Sequence, residues 1–274
     1  MVTHPDDPAP ATEMYRHRTE TLSVDRGEGP PLVLSHGTLM DWTMFQPQLD
    51  ALADDYRVVT YNNRARTDNW QGPYDLDDLA DDCRTLMDAK GIDSAVLGGM
   101  SMGGFMALRF ALRYPDALEG IVLIDSMAKP HSEDDQEQYE EMVEKTKATN
   151  EVPEQMAEIV SNLLFGRTSI EERTDLVDHW KDRWLTYPGE AVYDEVKSWL
   201  HRPGVEDRLD EIEVPVLIVH GEEDISIEPE MTEPMVDQLP NARRVTIPEA
   251  GHSSNLENPE PVNDAIRSFL ADVY

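Results

Sequence analysis

The sequence predicts an α/β protein: a mostly parallel sheet covered on both faces by helices and interrupted once by an all-helical insertion. Three observations carry this. Short apolar runs alternate with amphipathic stretches in both the first and the last parts of the chain, and that alternation calls for a buried parallel sheet. Between Met127 and about Asp210 the strand signal disappears and only helix-patterned pieces remain. Finally, Gly98-Gly99-Met100-Ser101-Met102-Gly103-Gly104 joins an apolar run at 95–97 to a helix-patterned run at 105–112. Strand, sharp turn and helix is the setting in which Gly-x-Ser-x-Gly becomes a nucleophile elbow. The expected organisation is a core formed by 1–126 and 211–274, with 127–210 inserted after the strand ending near Asp125.

Taken in order, residues 1–13 read as a loose polar tail and 15–24 as a strand, by alternation, ending in a turn at Asp25-Arg26-Gly27-Glu28-Gly29. A short buried strand at 31–35 ends at His36-Gly37-Thr38-Leu39. Helical spacing of Phe45, Leu49 and Leu52 follows, then a strand at 57–61 and a helix at 76–89. After the elbow, 121–124 is a strand. The insertion offers helices at 136–148, 153–164, 170–185 and 190–200, and it holds Trp180, Trp184 and Trp199. An all-helical insertion between two strands of such a sheet reads as a cap over the active face. Strands at 216–219 and 244–247 and helices at 230–239 and 261–273 complete the core.

Bulk properties narrow the function classes. With 274 residues the chain is long enough for one large α/β domain. The balance of 56 acidic against 23 basic residues gives a net charge of −33, and the acid is spread along the chain. A dispersed acidic surface in which Arg far outnumbers Lys predicts a halophilic setting, where salt screens self-repulsion over about 3 Å at 1 M. No basic patch is visible, so nucleic acid is not an expected partner. No apolar run approaches a membrane span and no signal segment is visible, so no membrane partner is expected and a soluble, cytoplasmic protein is. The lone Cys83 lies beside Asp81 and Asp82 and reads as a buried structural thiol. Oligomeric state is left open.

A serine hydroxyl needs a base, and the base needs a carboxylate to hold its tautomer. His252 follows the last strand through Pro248-Glu249-Ala250-Gly251, on the sheet edge that carries Ser101. Asp224 follows the strand at 216–219 through His220-Gly221-Glu222-Glu223, on the same edge, and is the expected acid; Asp125, ending the strand at 121–124, is its rival. Glu222 and Glu223 read as solvated loop acids. The oxyanion donors are expected to be the backbone N–H groups of Met102, after the nucleophile, and Thr38, after the strand at 31–35. His36 reads as a structural hydrogen bonder. Leu39, Met100 and Met127, with Trp180 and Trp184 from the insertion, are candidate pocket residues, although the tryptophans equally suit packing. No metal or organic cofactor is implied, because His and acidic residues show no ligand spacing.

With Leu34-Ser35-His36-Gly37, Gly99-Met100-Ser101-Met102-Gly103, Gly221-Glu222-Glu223-Asp224 and Gly251-His252 followed by Glu257-Asn258-Pro259, the chain resembles the serine hydrolases of the α/β-hydrolase fold over about 31–126 and 212–272. Gly72-Pro73-Tyr74-Asp75-Leu76 with the Ser-Met-Gly-Gly elbow is similar to the 3-oxoadipate enol-lactonase branch, and the carboxylesterases are the other branch the chain resembles. The resemblance implies a small ester or lactone as substrate; C–C bond hydrolysis, cofactor-free perhydrolysis and a catalytically silent ligand-binding fold share the same motifs. Ser101 excludes the aspartate-nucleophile chemistries of the fold. One departure stands out. Where the family often carries Asp-x-Arg-Gly-x-Gly-x-Ser, this chain has Asn62-Asn63-Arg64-Ala65-Arg66-Thr67-Asp68-Asn69, with both glycines replaced.

Overall fold

The computed structural model describes residues 23–274, so the expected tail over 1–13 and most of the strand over 15–24 lie outside the described residues. Seven strands form one sheet: β1 (Ser23–Arg26), β2 (Pro31–Ser35), β3 (Arg57–Tyr61), β4 (Ala95–Met100), β5 (Leu118–Ile124), β6 (Val216–Gly221) and β7 (Ala242–Ile247). Their order is β1-β3-β2-β4-β5-β6-β7. Only β1 pairs antiparallel, against β3; the other neighbours are parallel.

Period-two alternation sends side chains to two separate apolar layers. On one face lie Val33, Leu97, Ile121, Leu123 and Ile218, covered by α2 (Leu76–Ala89) and α3 (Met102–Arg113). On the other lie Leu32, Leu34, Val96, Val122, Ile124, Leu217 and Val219, covered by α1 (Gln46–Leu52) and α11 (Pro259–Val273). Both layers are sealed from water, which accounts for the near-continuous apolar runs of the central strands. Helix α2 starts at Asp75, whose carboxylate accepts from the Asp77 and Asp78 amides in a reciprocal capping box.

The chain leaves β2 toward β3 on one side and returns through β4 on the other. The crevice at this reversal, outside the carboxyl ends of β2 and β4, is where open α/β sheets bind ligands. Ser35 pairs with Gly99 and Met100 with Ile124, so the loops after β2, β4 and β5 emerge side by side.

Between β5 and β6 the described residues hold no strand. They form α4 (Glu133–Thr149), α5 (Glu154–Leu164), α6 (Arg167–Glu172), α7 (Thr174–Trp184) and α8 (Gly189–Leu200). The single helix expected over 170–185 is two, because Arg173 leaves helical geometry at φ −122°. Beyond the insertion come α9 (Pro229–Gln238) and a short α10 (Ser254–Glu257). Among the described residues no helix is long and apolar enough to cross a membrane. Cys83 is buried, and burial pushes its thiol up to about 12.

Candidate active site

Ser101 sits between β4 and α3 with φ 49° and ψ −113°, a backbone region that non-glycine residues rarely occupy. A Cβ on Gly103 would lie 2.1 Å from the Ser35 carbonyl oxygen, and one on Gly99 would lie 2.2 Å from the Gly103 carbonyl carbon. Only glycine permits the helix to start this close to two strands. The turn is held by Ser101 N–H donating to Ile124 O at 2.9 Å and by Ser126 Oγ donating to Ser101 O at 2.9 Å.

The structure brings the three residues after β4, β6 and β7 together. His252 Nε2 lies 2.9 Å from Ser101 Oγ, and His252 Nδ1 lies 2.8 Å from Asp224 Oδ2. The other carboxylate oxygen, Oδ1, accepts from the backbone N–H groups of Ser226 (2.9 Å) and Ile227 (3.0 Å). With Nδ1–H donated to the carboxylate, Nε2 is left to accept from the hydroxyl. Burial alone would lower the basicity of His252, but the charge and hydrogen bond of Asp224, aided by Asp125 and Glu257, raise it above the usual 6.5.

Asp125, the rival acid, faces elsewhere. Its Oδ1 accepts from Gly221 N–H (2.8 Å) and its Oδ2 from Ser254 N–H (2.9 Å), so it ties the end of β6 to the loop that carries His252. Burial and the neighbouring Asp224 push its carboxyl up to about 7. Asp125, His220 and Asp224 converge to within 4.8 Å, a spacing compatible with a metal. Each is already engaged by the protein, His220 donating from Nε2 to Ile227 O at 2.8 Å. Glu222 is exposed, as expected, whereas Glu223 is half-buried and accepts from Thr168 N–H (2.8 Å) and Oγ1–H (2.7 Å), because the insertion packs over it.

The loop after β2 approaches the elbow from the opposite side. His36 is fully buried; its Nδ1–H donates to Gly37 O (2.8 Å) and its Nε2 accepts from Asn63 N–H (2.9 Å). Burial and the nearby Arg66 hold it down to about 4, so it stays neutral and structural. Leu39 adopts φ 62°, reversing the chain directly after Thr38. Thr38 lines a cavity together with Ser101 and His252, and Met102 opens α3, where first-turn N–H groups have no helical acceptor.

A family model described as "alpha/beta hydrolase fold" matches residues 30–259. The chain belongs to the α/β-hydrolase family. It is similar to a thermophilic esterase from Thermogutta terrifontis, at 32% identity and TM-score 0.86, over 92% of this chain and 93% of that one. It is also similar to the enol-lactonase from Burkholderia xenovorans LB400, at 25% identity and TM-score 0.83, over 91% and 95%. A curated relative, AB hydrolase superfamily protein YisY of Bacillus subtilis, is 26% identical over 265 residues, covering 91% and 95% of the two chains. This hydrolase is accordingly an enzyme of the hydrolytic kind, with the sheet and flanking helices of its family.

Several buried contacts fasten the inserted helices to the loops around the sheet. Glu195 of α8, fully buried, accepts from Leu39 N–H (3.1 Å) and from Arg66 Nη2–H (2.8 Å) through the same oxygen. Arg66 also donates to Met40 O (3.0 Å) and lies 3.9 Å over the Tyr187 ring. The altered loop at 62–69 thus supplies a buried cation that the loop after β2 and the insertion share. Arg183 of α7 pairs with Asp41. Glu223 holds Thr168, and Glu257 Oε2 accepts from Gly166 N–H (2.7 Å) while its Oε1 accepts from Gly251 (2.9 Å) and Ser253 (3.1 Å) N–H. Burial pushes the Glu257 carboxyl up to about 7 against these bonds.

The cavity over Ser101 is bounded by core and insertion together, with Leu39 among its lining residues as expected. Met100, Met127, Trp180 and Trp184 do not line it. Trp180 and Trp184 are buried in the apolar layer that includes Phe165, onto which Trp184 stacks at 6.2 Å, since i,i+4 spacing aims both rings the same way, into packing. Met100 ends β4 with its side chain in that layer, and Met127 lies in the other. The walls come instead from Met142 and Val143 of α4, Met156, Val160, Leu163 and Leu164 of α5, and the ring cluster of Phe105, His131, Tyr139 and Trp199. The i, i+3, i+4 spacing of Tyr139, Met142 and Val143 on an otherwise acidic helix is the sequence signal that marks the wall.

Because Glu257 is the shared acceptor for three buried N–H groups, Glu257→Ala leaves them unpaired. Its unfolding free energy should drop by about 3 kcal/mol or more, read as a lower urea midpoint. An unchanged midpoint would contradict the clamp.

Proposed function

We propose that this chain hydrolyses carboxylic esters or lactones through Ser101 as nucleophile, His252 as general base and acid, and Asp224 as the carboxylate that orients the imidazole. The observation that carries the reading is the unbroken hydrogen-bond chain from Ser101 Oγ to His252 to Asp224, opening into a largely apolar cavity. The esterase and enol-lactonase among its structural relatives support the substrate class.

In this mechanism the Ser101 hydroxyl attacks the substrate carbonyl as its proton passes to His252 Nε2, and Asp224 stabilises the imidazolium through Nδ1–H. The oxyanion is received by the N–H groups of Thr38 and Met102, the latter at the positive end of α3. His252 returns the proton to the leaving alcohol, or to the ring-opened hydroxyl of a lactone. It then deprotonates water, which cleaves the acyl-enzyme. Helices 133–200 act as a cap that limits water and shapes the acyl site. The acidic composition adds a second element: the enzyme works in molar salt, where repulsion among its exposed carboxylates is screened.

Three outcomes follow. A fluorophosphonate probe labels the wild type and fails on Ser101→Ala, whose kcat on para-nitrophenyl esters falls by about 10³-fold or more; a panel of esters and lactones of graded length then identifies the preferred acyl chain. A silent ligand-binding fold would show no adduct at all. Because His252 acts in its neutral form and its basicity is raised, kcat/KM rises with pH through a midpoint above 6.5. Asp224→Asn moves that midpoint down; a wild-type midpoint below 6.5 contradicts the assignment. Finally, Tm should climb on the order of 5 °C between 0.1 M and 2 M KCl, and a protein most stable in dilute buffer is not halophilic.

A further inference from the structure

We propose that His131 determines substrate specificity by donating its Nε2–H to an oxygen acceptor carried on the chain of the ester or lactone, so that oxygen-bearing substrates are preferred over plain alkyl ones. The inference rests on the assignment of Ser101 as nucleophile, because it concerns the same cavity.

His131 lines that cavity with Ser101 and His252, among side chains that are mostly aliphatic. Its Nδ1 lies 2.9 Å from Arg202 Nη1. A guanidinium has donors and no acceptor, so Nδ1 must accept and the proton of the neutral ring must reside on Nε2. Neutrality is secured by burial first and by the Arg202 charge second, which together hold His131 down to about 3. Arg202 is itself fixed: it donates to Lys129 O (2.7 Å) and Trp199 O (3.3 Å) and lies 3.6 Å over the Phe105 ring. Accepting from a cation polarises the imidazole and makes Nε2–H a stronger donor.

The ring has no freedom to turn this donor away. Phe105 and Tyr139 meet it edge-on at 6.0 and 5.5 Å, and Trp199 packs at 5.1 Å. Among the described residues Nε2 has no hydrogen-bond partner, and it is not one of the enclosed polar atoms that nothing reaches. Ser226, another hydroxyl in the lining, spends its proton on Leu163 O at 2.7 Å. Trp199, also in the lining, has its indole N–H buried without a partner, whereas His131 Nε2 is not enclosed in this way. A fixed donor in a largely apolar cavity orients the ligand and discriminates against ligands that leave it unpaired. The acceptor class is a carbonyl or carboxylate oxygen; Arg202 behind the ring suits either.

The test compares para-nitrophenyl pentanoate, levulinate and hemisuccinate, which share the leaving group and approximate length while placing a methylene, a neutral oxo group or a carboxylate in the chain. Wild type should hydrolyse levulinate, hemisuccinate or both with higher kcat/KM than pentanoate, the responding ester telling neutral from anionic acceptors. In His131→Phe, which keeps a ring in the aromatic cluster and loses the donor, the oxygenated-to-alkyl ratio should fall about tenfold. His131→Gln, which keeps an N–H donor, should recover part of that ratio and covers the case in which the Phe variant folds poorly. Ratios in both variants within twofold of wild type, or a wild type that favours pentanoate, would overturn the inference while leaving the hydrolase assignment intact. Absence of hydrolysis of every ester, with no probe adduct on Ser101, would instead overturn the assignment beneath it.

Discussion

The close approach of α3 to strands β2 and β4 is the constraint on which the rest of the site depends. Helix and strands meet backbone to backbone at Gly99 and Gly103, where a single methyl group would collide with main-chain atoms. That contact forces Ser101 into its strained turn at a cost of about 1–3 kcal/mol, borne by the bonds to Ile124 and from Ser126. The same contact sets the first amide of α3 beside the loop that leaves β2. The hydroxyl and the two proposed oxyanion donors are therefore brought together for one reason, and a shift of the helix would carry Ser101 and Met102 away from Thr38 on the facing loop.

Around this point the acidic residues divide into two populations with opposite physics. The exposed ones repel each other and account for the large net charge. A small buried set, Asp41, Asp125, Glu195, Asp224 and Glu257, accepts backbone N–H groups from loops and from the ends of elements: Thr43, Gly221 and Ser254, Leu39, Ser226 and Ile227, Gly166, Gly251 and Ser253. A buried carboxylate must be hydrogen-bonded to be tolerated, and loop amides beyond strand ends have no ladder partner. Each need satisfies the other, and irregular segments become rigid without secondary structure of their own. Salt screens the first population and barely reaches the second.

How far this was legible in the sequence follows from the range of the forces involved. Strand periodicity, glycine spacing at the elbow and the position of His252 after the last strand are local features, and they predicted the sheet, its helices and the order in which Ser101, Asp224 and His252 occur. Asp125 and Asp224 both follow strands on the same edge, and only the direction of each side chain separates them, Asp224 meeting His252 and Asp125 meeting the Gly221 and Ser254 amides. The pocket is the least legible part. Trp180 and Trp184 are conspicuous in the insertion, yet the cavity wall is made by Trp199, His131 and the apolar stripes of α4 and α5, whose facing depends on how the insertion docks. The ion pair between Arg66 and Glu195 joins residues 129 positions apart, and nothing in either neighbourhood announces the other. The loop at 62–69 was visible as a departure from the family pattern, but its role as the buried cation beneath Leu39 needed the fold.

The division of labour inside the insertion has an evolutionary consequence. Its anchors, Gly166, Thr168, Arg183 and Glu195, are different residues from the apolar wall presented by α4 and α5. Residues such as Met142, Met156, Val160 and Leu163 can be exchanged without loosening any of these contacts to the His252 loop or the loop after β2. Under the proposed mechanism, acyl-chain selectivity can therefore drift by single, nearly independent steps while the chemistry beneath it is kept, which makes the wall of α4 and α5 the natural target for a library aimed at new substrates.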